Sequence, residues 1–394
     1  MRLASLTLIL LMLPALAGQM WHRDRPANPP AVADVIAASY DRFPAAYHEA
    51  RILRLQPLIE DAAGEAQARL EAFDDCAAAH SALGQHDAAV LLLDRKLALA
   101  REVRDATPEL GLLHLRRGLA NKSRVLVRRW LIVGGADTTD LTDARTVIET
   151  WQAEDPFSAE ARFAAREVAW LLTGVRWKGE GPMPNLLGID ADTMRQGKGA
   201  GALAREGYAG AIDLMVRRIV EGDWLATDYL YALSLALELE GRRDEAIGAW
   251  LRMEELCMQG RHLWTSSNNS TSRTLNATAW HLRDVPDLEA RRATFAESRR
   301  AADSWVQRRN QHMLAKLSNG GHPDTDQAFW QGWDNTPEAM PTPPPDTQTK
   351  PEPEVSNMLV TAGIAALAVL LFTLAGVAIF FVRRHPAAPS VDEM

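Results

Sequence analysis

The chain has 394 residues, 47% of them hydrophobic and 24% charged, which is the balance of a folded chain and excludes a largely disordered one. A formal net charge of -8 argues against nucleic acid as the main ligand, because phosphate binding needs a surplus of Lys and Arg on one face. Two cysteines, Cys76 and Cys257, occur without a CxxC pair, so neither a zinc site nor a disulfide framework is indicated. Buried free thiols fit both positions, with a single long-range bridge as the alternative.

The first segment, MRLASLTLILLMLPALAGQM, joins one basic residue, Arg2, to an apolar run and the small-x-small pattern Ala15-Leu16-Ala17. It predicts a signal peptide over 1–17, cleaved after Ala17, with an uncleaved anchor as the alternative. Residues 18–334 form the expected body. From about 31 to 317 apolar residues recur at i, i+3 and i+4 and no strict alternation is bounded by turns, which predicts an all-α class.

Several helix ends are legible. Thr107-Pro108-Glu109 opens a helix that Gly134-Gly135 closes, Ser158 opens one that stops at Gly174, and Asp287 opens a long one that runs to Asn319-Gly320. The long helix carries Leu288, Phe295, Ala302, Trp305 and Leu314 along one side, as a cap on the body or as the seam of a homodimeric coiled coil.

Small and large residues recur at fixed offsets. Gly84, Ala89-Val90 and Leu93 are matched by Gly241, Ala246-Ile247 and Trp250, and by Ala211-Ile212 and Met215; Ala211 and Ala246 stand 35 positions apart. Phe73, Cys76-Ala77 and His80 precede the first set as Leu230, Leu233-Ser234 and Leu237 precede the last. These residues resemble the tetratricopeptide repeat family, whose units are helix-turn-helix hairpins. The resemblance covers 65–104 and 203–258 and implies antiparallel helical hairpins stacked as a short solenoid, the kind of array that binds acidic peptide ends on a concave face. Lys96 and Met253 depart from it, standing where the family prefers a small residue.

The helix from 109 to 133 places Leu112, Leu115, Leu119, Leu126 and Trp130 on one face and Arg117, Asn121, Arg124 and Arg128 on another. That second stripe is the candidate binding site for an acidic protein or peptide partner, since Arg offers paired donors and keeps its charge; a solvated face or salt bridges to the many acidic residues of the chain is the favoured reading. RQGKGAGALAREG (195–207) has the glycines and Lys198 of a phosphate loop but lacks GxxxxGK[ST], so a flexible insertion is the expectation. His322, Asp324 and Asp326 could share a metal or act as acid and base, yet no HExxH or GxSxG accompanies them; Asp capping and turn formation is favoured. Four Asn-x-Ser/Thr triplets start at Asn121, Asn268, Asn269 and Asn276, as many as chance would place.

Proline recurs through 335–357, which predicts an extended stalk. Residues 358–382 carry no charge and as a helix would reach roughly 37 Å at about 1.5 Å per residue, enough to cross a bilayer. Arg383 and Arg384 follow directly and place the tail, 383–394, in the cytoplasm by the positive-inside rule and the body outside it. The expectation is a single-pass membrane scaffold that binds a protein or peptide at the cell envelope, not an enzyme, with no cofactor and no metal. A ligand-sensing subunit and an exported hydrolase are the alternatives.

Overall fold

Pro108, which fixes a helical φ and needs no donor in the first turn, starts the longest unbroken helix of the first half, Pro108–Val133. The Ser158 hydroxyl accepts the Ala161 amide at 3.1 Å and so caps the helix Ala159–Thr173. In the computed structural model, residues 30–133, 137–173, 185–189, 199–205, 207–223, 227–260, 278–279 and 281–333 are described. The expected signal peptide, stalk, membrane segment and tail lie outside them. The chain divides into two units, 1–343 and 344–394, and the described residues all belong to the first.

Twelve α-helices occur among the described residues, and no strand. They are α1 (Val32–Ala37), α2 (Ala45–Glu60), α3 (Ala66–Ala82), α4 (His86–Ala106), α5 (Pro108–Val133), α6 (Thr139–Glu154), α7 (Ala159–Thr173), α8 (Ala202–Arg205), α9 (Ala211–Arg218), α10 (Thr227–Leu239), α11 (Arg243–Met258) and α12 (Leu288–Ser318). None of them is long and apolar enough to cross a membrane. From α2 to α7 each helix packs on the next, and α10 packs on α11 in the same way.

The two stretches that resemble repeats fold differently. Residues 65–104 form the hairpin α3–α4, and its small residues Ala77 and Ala89 are buried with Leu93 against Val125 of α5, as close helix approach requires. Among the described residues of 203–258 there is one full hairpin, α10–α11. Upstream of it α8 has four residues and α9 eight, continued by a π-helical turn, Ile219–Asp223. Gly207 and Gly210, at φ +80° and +76°, hold the left-handed backbone that separates α8 from α9. Ala211 and Ala246, 35 positions apart, stand at the start of α9 and near the start of α11, with α10 between them.

Two apolar clusters make up most of the core. One, from α3 to α7, contains Leu70, Leu97, Leu115, Leu126, Leu141, Ile148 and Trp151. The other joins α1 and α9–α11 through Val35, Met215, Leu233, Leu237, Trp250 and Leu256. Trp170 of α7 touches both. The last helix, α12, lies against α1, α2 and α11, and its Arg299 donates to the Ala37 carbonyl where α1 ends. Cys76 and Cys257 are both buried, and neither forms a disulfide.

Candidate functional site

Helix α5 is flanked by α4 and α6 and also touches α3 and α7, so its polar stripe faces other helices. Asn121 and Arg124 are buried, 0% and 2% exposed, and Arg117 and Arg128 are half-buried. Asn121 and Arg124 meet carboxylates of the chain itself, Asp74 and Glu167.

Asn121 Nδ2 donates to Asp74 Oδ1 at 2.7 Å, and Lys96 pairs with the other oxygen of Asp74. This explains the long side chain of Lys96 at a position that the repeat pattern reserves for a small one: its ammonium neutralises a fully buried carboxylate. Burial pushes the Asp74 carboxyl up and the Lys96 ammonium down, each opposed by the charge of the other. Beside them the His114 imidazole is driven down to about 3, first by burial and then by Lys96 and Arg117. Asn121 is also closed to glycosylation by its burial.

One turn further along α5, Arg124 Nη1 lies 3.3 Å from both Glu167 Oε1 and the Tyr229 hydroxyl. Arg218 of α9 donates to Glu167 Oε2 at 3.0 Å, and the Tyr229 hydroxyl of α10 donates to Oε1. Burial raises the Glu167 carboxyl, but Arg218, Arg124 and the Tyr229 hydroxyl outweigh it and hold the group below its ordinary range. Arg128 Nη1 reaches Ser81 Oγ at 3.4 Å; burial, then Arg124, brings its guanidinium down to about 10. Four helices thus meet on one carboxylate.

The C-terminal cluster is a tie to α2. Asp324 accepts Arg51 Nε at 3.0 Å and Nη2 at 3.2 Å, and also pairs with Arg54. The His322 ring stacks on Tyr47 at 5.2 Å, and Asp326 Oδ1 caps the Ala328 amide at 2.9 Å. Among the described residues no three His, Cys, Asp or Glu side chains are grouped to hold a metal.

Of the glycine-rich stretch, residues 195–198 and 206 lie outside the described residues. Two of its described amides meet an anion. Gly201 N–H and Leu203 N–H donate to the Glu240 carboxylate at 2.8 and 2.7 Å, so an internal carboxylate stands where a phosphate would.

The arrangement with open access lies at the turn between α10 and α11. A groove of about 440 Å³ is lined by Glu238, Gly241, Arg243, Ala246, Ile247, His281, Arg283, Asp284 and Val285. Glu238 Oε1 is its fixed point: Trp250 Nε1 donates to it at 2.8 Å and His281 Nδ1 lies 3.3 Å away. The imidazole stacks on the Trp250 indole at 4.0 Å with 13° between the planes. A carboxylate that orients an imidazole can support proton transfer. None of the described lining residues carries a hydroxyl or thiol. Sequence reading missed this groove because Glu238, Trp250 and His281 share no short spacing. The chain matches no described protein family, no curated protein and no solved structure.

Proposed function

We propose that the protein is a single-pass membrane scaffold whose helical body, held outside the cytoplasm, binds a protein or peptide partner. The observation that carries this reading is the joining of an all-helical body of sequentially packed hairpins to the uncharged run 358–382 and the basic pair Arg383-Arg384, through the proline-rich 335–357. The internal pairing of the ionic clusters on α5 and α2 supports a binding role over a catalytic one, since these groups hold helices together. The partner contact then lies on surfaces other than the inner face of α5.

Topology and capture test this together. In cells carrying the tagged full chain, the protein should stay with membranes through an alkaline wash, and protease added from outside should digest the body. A version ending at residue 357 should be released. Crosslinking in those membranes should capture one defined envelope protein. A body protected from external protease, or a full chain released by the wash, would refute the reading. The groove favours a second reading, a subunit that senses a small ligand.

A further inference from the structure

We infer that the groove between α10, α11 and residues 281–285 is a binding site for short zwitterionic peptides. Its volume of about 440 Å³ falls in the lower part of the roughly 300–1,000 Å³ range of ligand clefts, too large for an ion alone. Two guanidinium groups, Arg243 and Arg283, and two carboxylates, Glu238 and Asp284, line the same space, and Ile247 and Val285 add apolar surface.

Charges of both signs restrict the ligand. A simple anion would meet Glu238 and Asp284, and a simple cation would meet Arg243 and Arg283; each repulsion disfavours it. A free peptide carries a carboxylate for the planar donors of Arg and an ammonium for the acids, separated by a few bonds and a small side chain. Arg283 and Asp284 already pair at 3.0 Å, but both are largely exposed. Such a pair contributes little, so a ligand can exchange its own charges into it. One wall is rigid in advance: His281 is held by its stack on Trp250 and by Glu238, which lowers the ordering cost of binding. This site does not depend on where the body resides or on a protein partner.

The test is titration calorimetry of the full chain in detergent micelles with alanyl-valine, its N-acetyl form, its C-terminal amide, and sodium acetate and inorganic phosphate as simple anions. Saturable binding of the free dipeptide is expected, weakened at least tenfold by blocking either end, with no comparable binding of the anions. Arg243→Glu and Arg283→Glu should each abolish binding with the thermal midpoint unchanged, because both residues are exposed. No saturable binding of the dipeptide, equal binding of its blocked forms, or full binding by both folded variants would overturn the site.

Discussion

Between α3 and α7 the helices close over charge: Lys96, Asp74 and Asn121 meet in one place, and Arg124 and Glu167 in another. Between α9 and α11 the interior is mainly apolar, with Met215, Leu233, Leu237 and Met253 all at 0% exposure. An apolar interface tolerates sliding and repacking because its attraction has no direction. A buried ion pair tolerates neither, since a displaced partner leaves a charge without compensation. The first region is thus fixed in register by a few atoms and the second by volume. They meet at Glu167, where α5 and α7 of the first bind Arg218 and Tyr229 of the second.

The sharpest way to break this contrast is at that carboxylate. Glu167→Gln should cost about 3–5 kcal/mol, the scale for breaking a buried pair by removing one partner, read from urea unfolding of the full chain. In the apolar region Leu233→Ala should cost about 2–5 kcal/mol at any pH, whereas the Glu167 contribution, constant between about pH 5 and pH 8, should fade only as pH drops below the ordinary carboxylate range, because the fold holds that carboxyl lower still. A repacked Leu233 variant with a loss below the lower bound would show that the second region is looser than its burial suggests.

Acid should separate the two regions further. The folded state holds His114 near pKa 3, below its ordinary 6.5. Between those values the unfolded chain binds a proton that the folded chain does not, so unfolding free energy falls as pH drops from about 6.5 toward 3, and above 6.5 His114 adds no slope. The contribution is about 1.4 kcal/mol per pH unit at most. His114→Leu should reduce proton uptake on unfolding by about one at pH 5, measured as the pH dependence of the urea midpoint; an unchanged slope would show that His114 titrates normally in the fold. A smaller effect is expected at the α7 cap, where Ser158→Ala removes the bond to Ala161 and should cost about 1 kcal/mol. Phe157, the adjacent side chain and 89% exposed, should give less than about 0.5 kcal/mol on replacement by Ser.

Helix boundaries were legible because their signals are local. Pro108, Ser158 and Asp287 stand immediately before or at the first residues of α5, α7 and α12; Pro108 acts through its fixed φ and Ser158 through its hydroxyl, whereas Asp287 makes no side-chain cap bond and holds a left-handed backbone, φ 52°. The stripe on α5 was legible as chemistry and not as location. Whether Arg124 meets water, a partner or Glu167 depends on α7 and α10, 43 and 105 positions away in sequence, and no spacing rule reaches that far. Lys96 carried a usable signal: a long cation at a small-residue position implies a buried acid, and Asp74 lies one helix earlier. The groove left no such trace, since its residues come from one turn and a segment about 40 positions downstream.

Arg51 near the start of the body binds Asp324 near its end, a separation of 273 residues. At the roughly 5–20 residues per second of chain synthesis, that separation of 273 residues amounts to about 14–55 s during which α2 exists without the acid that receives its guanidinium. Over that interval α2 can already pack on α3, where Arg51 lies 3.7 Å from Asp75, and only Asp324 is still to come. The C-terminal segment thus adds a second acid to a guanidinium that α3 already holds, and closes the two ends of the body on one helix.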